Sequence, residues 1–182
     1  MPFADCSKHH FGDVLAPQSP PADPHAYASA PATVGDFGKL YELTITTAKG
    51  DIVVCLDPAL APHTVGVITT LARNHFYDGL TFHRVEPNFV IQGGDPKGDG
   101  TGGPGFSFMD EPVHQAYGVG VIAMANSGPD TNGSQFFICI GEGCAPLPPQ
   151  YNLFGRVQSG LGVAKQIVKG DVIQHIVVRE EQ

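Results

Sequence analysis

Two stretches of the chain gather residue types that can do chemistry in a fixed order. The first is Phe82-His83-Arg84-Val85-Glu86-Pro87-Asn88-Phe89-Val90-Ile91-Gln92-Gly93-Gly94-Asp95. The second is Met124-Ala125-Asn126-Ser127-Gly128-Pro129-Asp130-Thr131-Asn132-Gly133-Ser134-Gln135-Phe136-Phe137-Ile138. Arginine supplies a charged, rigid fork of N–H donors, so Arg84 can hold a carbonyl and approach a second atom at once. Taken singly, these residues are ordinary. An arginine after Phe-His in a strand reads as surface charge, and Phe137 alone reads as core. Their joint occurrence with Gln92 and Asn126 is what points to a site.

Other suggestive spellings lack their context. Gly98-Asp99-Gly100-Thr101-Gly102-Gly103 spells a dinucleotide fingerprint, but that motif needs a helix to open at its glycines. Here Pro104-Gly105-Phe106-Ser107-Phe108 follows, so a turned loop is expected. There is no phosphate-loop GKS/T and no HExxH, and Gly105–Met109 lacks the final glycine of a nucleophile elbow. Asn132-Gly133-Ser134 matches a glycosylation sequon, though an Asn-Gly turn is the better reading. Cys6, His9 and His10 lie close together without a partner motif. Neither a metal nor a cofactor is expected.

The elements that must position these residues follow from composition and pattern. The chain has 182 residues, with Gly 23, Pro 16, 42% hydrophobic and 15% charged. That is one domain with a real core, rich in turns and β-structure. Residues 1–38 hold six of the prolines and show no hydrophobic period, so they read as an extended, poorly ordered tail. Residues 39–182 read as the folded domain. Leu40–Thr47 and Ile52–Leu56 flank a Gly-containing turn and form a hairpin. Val65, Ile68 and Ala72 mark an amphipathic helix from Pro62 to Arg73, started by a proline where a missing N–H is tolerated. Short strands are expected at Leu80–Val85, Phe89–Gln92, Val119–Met124, Gln135–Ile140, Leu153–Val157 and Val172–Val178. A second helix is expected over Ser159–Val168. If Gln135–Ile140 is a strand, Phe136 and Phe137 face opposite sides.

Net charge is −8, and the ten basic residues are scattered singly. Nucleic acid and anionic membranes are therefore poor partners. The four cysteines form no CxxC and read as free thiols of a reducing compartment. Met1–Cys6 has no basic region followed by an apolar run. A cytoplasmic location is the expectation.

Together the two stretches resemble the signatures of the cyclophilins, peptidyl-prolyl cis-trans isomerases, and the resemblance extends from about Leu40 to Val178. It implies a mainly β fold, a closed eight-stranded antiparallel barrel capped by two α-helices, with the groove on the outside. It implies proline-containing peptides and unfolded proteins as partners. By resemblance Arg84, Gln92, Phe89, Asn126 and Phe137 are the catalytic set. Gln92 orients Arg84, and the Asn126 main chain binds the residues before the proline. Phe89, Val90, Phe137 and Leu147 form the proline pocket, and Ala125 and Gln135 line the neighbouring groove. Phe137 is then the groove residue and Phe136 the core residue.

The implied chemistry needs no covalent step. Rotation about an X-Pro bond meets a barrier of about 18–20 kcal/mol from amide resonance. A site that binds the twisted bond better than either planar form lowers it. At the twist the prolyl nitrogen regains a lone pair, and Arg84 is the natural donor toward it. No proton is transferred, so His83 reads as structural. The alternatives are a proline-peptide binding module, or a chaperone with incidental turnover.

The chain departs from the family pattern in one region. Well-known members carry a tryptophan and a histidine before the Phe-Gly strand, whereas this chain has no tryptophan. Counting back from Phe154 places Tyr151 at the histidine position and Pro146 at the tryptophan position, followed by Leu147. An indole donor that grips cyclosporin-type ligands is missing, so weak cyclosporin binding is expected.

Overall fold

A computed structural model describes residues 2–31 and 37–182. Positions 1 and 32–36 of the expected tail lie outside the described residues. The strands are β1 (Phe11–Val14), β2 (Tyr41–Thr47), β3 (Gly50–Leu56), β4 (Arg84–Glu86), β5 (Val90–Gly93), β6 (Val121–Met124), β7 (Phe136–Cys139), β8 (Leu153–Ser159) and β9 (His175–Glu181). The helices are α1 (Pro62–Arg73) and α2 (Leu161–Ala164).

All nine strands join one antiparallel sheet in the order β1-β9-β2-β3-β8-β6-β7-β5-β4. The mainly β architecture with two helices is as expected, and the sheet differs from a closed eight-stranded barrel in two respects. A ninth strand, β1, comes from the segment that reads as a tail. The sheet also keeps two ends, β1 and β4, rather than closing as a continuous ladder. The strands expected at Leu80–Val85 and Val172–Val178 begin later than their sequence pattern. In their place a short seam links 79–82 to 170–173. There the N–H groups of Gly79 and Phe82 donate to Ile173 and Asp171, and those of Ile173 and Gly170 donate to Leu80 and Phe82.

The strand alternation does what period two dictates. Along β2, Tyr41, Leu43, Ile45 and Thr47 are buried and the residues between them are half-buried. In β6 and β7 both faces are buried, but against different clusters. Ile122, Met124, Phe136 and Ile138 enter the main core, with Phe82, Phe154 and the apolar face of α1. Val121, Ala123, Phe137 and Cys139 face a second, outer cluster with Val90, Tyr117 and Leu153.

Helix α1 starts at a proline, and the Ala61 side chain cannot cap it. Glu111 does so from a distant loop. Its carboxylate accepts from the N–H of His63 (2.9 Å) and Thr64 (2.8 Å) and from the Thr64 hydroxyl (2.6 Å), where the helix dipole favours negative charge. Helix α2 is one turn, shorter than the expected Ser159–Val168. Ser159 still belongs to β8, and after Ala164 the chain tightens into shorter-range turns such as Gln166 N–H to Val163 O.

The described part of the expected tail lies on the sheet. Strand β1 pairs with β9, the Gln182 N–H donates to His10 O, and Arg73 Nε reaches Ala16 O at 2.6 Å. Tyr27 packs edge-on against Phe106. These are backbone bonds and single anchors rather than an amphipathic face, which is why no period shows in the sequence.

The four cysteines are paired, Cys6 with Cys55 and Cys139 with Cys144, which corrects the expectation of free thiols. Docking of the N-terminal segment brings Cys6 to β3, across 49 residues that no spacing rule relates.

Candidate active site

Strands β4 and β5 set the polar side of the site. Arg84 lies opposite Gln92 in their register, and Glu86 opposite Val90. Arg84 Nη1 donates to Gln92 Oε1 at 3.3 Å. Gln92 Nε2 donates to Gln135 Oε1 at 3.0 Å, and Gln135 Nε2 donates to the carbonyls of Gly100 (3.0 Å) and Gly102 (2.9 Å). A chain of amides therefore runs from the glycine-rich loop to the guanidinium.

That loop is organised by Asp95, which is buried. Its carboxylate accepts from the N–H groups of Lys97, Asp99 and Gly100. With Gly98 N–H on Asp95 O and Thr101 N–H on Asp99 Oδ1, the amides from Lys97 to Thr101 are engaged within the loop itself. Gly94, with φ +88°, permits the tight entry: a Cβ there would meet Ser134 O at 2.5 Å.

The apolar side is built from β5, β7 and the segment after it. Arg84, Phe89, Val90, Gln92, Ala125, Asn126, Phe137, Leu147 and Tyr151 line one cavity of about 130 Å³. These are nine of the residues singled out in the sequence. The remaining one, Gln135, lines the adjoining cavity, which shares Gln92, Ala125 and Asn126 with the first. Phe137 is buried in the outer cluster and Phe136 in the main core, on opposite faces of β7. The Asn126 side chain is engaged in its own loop, donating to Gln150 O (2.8 Å) and accepting from Gly128 N–H (3.2 Å).

Sequence reasoning missed two residues here. Tyr117 packs against Tyr151 and Phe137, and Tyr151 meets Phe137 edge-on at 5.7 Å. The Tyr117 hydroxyl donates to Tyr151 O (2.6 Å) and accepts from Tyr151 N–H (3.0 Å), which pins the cavity rim. Burial pushes that hydroxyl up to about 12. No short motif contains Tyr117, since its partner is 34 residues away. The second is Glu86, which stands inside the first signature and ion-pairs with Arg84. His83 is buried, and burial holds its pKa below the ordinary value. Among the described residues no group of three His, Cys, Asp or Glu could hold a metal.

A sheet with this external groove and an arginine beside an apolar cavity agrees with what the chain resembles elsewhere. The family model of cyclophilin type peptidyl-prolyl cis-trans isomerases matches residues 42–181. Peptidyl-prolyl cis-trans isomerase B of Bacillus subtilis is 48% identical over 126 residues, 66% of this chain and 85% of that protein. The crystal structure of a Cryptosporidium parvum cyclophilin type peptidyl-prolyl cis-trans isomerase superposes with a TM-score of 0.70 at 30% identity. It covers 76% of this chain and 97% of that one. A second crystal structure of that protein, in the presence of the dipeptide Ala-Pro, superposes with a TM-score of 0.64 at 30% identity, covering 77% and 96%. The chain belongs to the cyclophilin family and is a peptidyl-prolyl cis-trans isomerase.

Proposed function

We propose that the protein accelerates rotation of X-Pro bonds in folding polypeptides through a non-covalent mechanism in which Arg84 is the key donor. The observation that carries this reading is the single cavity where Arg84 and Gln92 meet the apolar wall of Phe89, Val90, Phe137 and Leu147. The prolyl ring enters the apolar part. An Arg84 N–H is directed to the substrate carbonyl or, at the twist, to the prolyl nitrogen. The apolar wall favours the twisted amide too, because the planar form is the more charge-separated. The Asn126 side chain is held by its own loop, which leaves its main chain to bind the residues before the proline.

A charge-assisted hydrogen bond contributes about 1.5–3 kcal/mol, and about 1.4 kcal/mol is tenfold in rate. Arg84 thus supplies on the order of 10- to 150-fold, and the rest must come from the pocket and the backbone grip. The same reading takes the sheet as a barrel that closes at the 79–82 and 170–173 seam, which keeps the groove outside the packed interior. Two bonded cysteine pairs are what an oxidising compartment favours, which counts against the cytoplasmic location expected from free thiols.

The test is a cold, protease-coupled assay on an X-Pro peptide with wild type beside Arg84→Ala. The expected result is fast exchange that falls at least tenfold in the variant, with circular dichroism unchanged. Full activity in Arg84→Ala would remove Arg84 from the mechanism. Peptide binding without turnover in the wild type would favour a binding module.

A further inference from the structure

We propose that Glu86 is a positioning residue for the isomerisation: it fixes the Arg84 guanidinium in the pose that leaves N–H groups free for substrate. The proposal rests on the reading of Arg84 as the donor. Arg84 and Glu86 are two residues apart on β4, so they share a face, and both overhang the strand that carries Val90 and Gln92. Glu86 Oε1 accepts from Arg84 Nε at 2.9 Å and from Nη2 at 2.6 Å. Gln92 takes Nη1 from the other side at 3.3 Å, and the Phe89 ring lies 5.7 Å from the guanidinium carbon.

The donor arithmetic gives this arrangement its meaning. A guanidinium has five N–H groups. Glu86 takes two and Gln92 one, which leaves one on each terminal nitrogen. Those two suffice for a carbonyl and a prolyl nitrogen. Without Glu86 the only remaining hydrogen bond among the described residues is the long one to Gln92, and a side chain with this many rotamers leaves the productive pose. The pair is exposed, with side chains 47% and 48% accessible, so it adds little to stability. Its effect belongs in the rate.

The experiment measures kcat and KM of wild type, Glu86→Gln, Glu86→Ala, Arg84→Ala and the double alanine variant, with melting temperatures. Glu86→Ala is expected to lose about threefold to tenfold in kcat, as for one weakened charge-assisted bond, with KM and melting temperature unchanged. Glu86→Gln keeps an acceptor without charge and should lie between. In the Arg84→Ala background Glu86→Ala should have no further effect. Added salt should slow the wild type toward the Glu86→Ala rate and leave that variant unmoved. Unchanged or raised kcat in Glu86→Ala overturns the proposal, and a raised value identifies the carboxylate as a competitor of substrate. Collapse of Arg84→Ala in the same series would leave the Arg84 reading intact. Full activity of Arg84→Ala overturns both.

Discussion

Gln92 Nε2 donates to Gln135 Oε1 across 3.0 Å, and this bond fits only one sense of the amides between the glycine loop and Arg84. The carbonyls of Gly100 and Gly102 can only accept, so they face the Gln135 NH₂. That turns the Gln135 oxygen to Gln92 and the Gln92 oxygen to Arg84. Gln135 is therefore expected to act at a distance as well as lining the groove. Gln135→Glu has nearly the same shape but no N–H for the loop carbonyls. A neutral hydrogen bond is worth about 1 kcal/mol, so kcat/KM on an X-Pro peptide should fall about fivefold. An unchanged value would show that the loop does not orient Gln92.

The disulfide between Cys139 and Cys144 bears on the apolar wall in the same way. Cys139 is two residues beyond Phe137 on the same face of β7. Cys144 opens the turn whose carbonyl accepts from Leu147 N–H at 2.9 Å. Replacing both cysteines by alanine should raise KM, because Leu147 loses its tether to β7, and should cost about 2 kcal/mol of stability for so short a loop. Replacing Cys6 and Cys55 should cost about 4 kcal/mol for the longer loop and leave KM unchanged. Denaturant melts and the peptide assay separate the two cases.

What was legible in the sequence follows from how each part is encoded. The core strands and α1 have continuous periods, and most of the site is carried by two unbroken signatures, so both could be read directly, whereas Leu147 and Tyr151 lie outside the signatures and are placed only by counting back from Phe154. Strand β1 has no period because it is held by backbone bonds to β9. The disulfides and the Tyr117 contact to Tyr151 depend on partners that only the fold brings together. Glu86 was visible in the motif, but its role depends on the β4 register.

Cyclosporin-type ligands should bind weakly. The chain has no tryptophan, and Pro146, at the expected indole position, is exposed and has no N–H donor. Leu147 and Tyr151 still line the cavity, so proline peptides should be accepted while a cyclosporin-type ligand loses one grip. Titration calorimetry against cyclosporin, beside inhibition of the peptide assay, checks this. Tight binding would show that other contacts replace the indole.

His83 should make stability depend on mildly acidic pH. It is buried, and among the described residues neither ring nitrogen has a hydrogen-bond partner. Burial disfavours its charged form and outweighs Asp95 and Asp99, which favour it, so its folded pKa lies below the ordinary 6.5. Below 6.5 the unfolded chain takes up a proton that the folded chain refuses. Stability is therefore full above that value and falls as the pH drops, until the folded group also protonates. The slope from one group is at most about 1.4 kcal/mol per pH unit. Asp5, Asp99, Asp171 and Glu181 are held below their ordinary values mainly by hydrogen bonds. Their contributions are lost at lower pH, so the window from about 6.5 to 5 separates His83 from these carboxylates. Denaturant melts of wild type across that window should show stability falling with pH, and His83→Gln should flatten the slope. An equal slope in the variant would remove His83 as the cause.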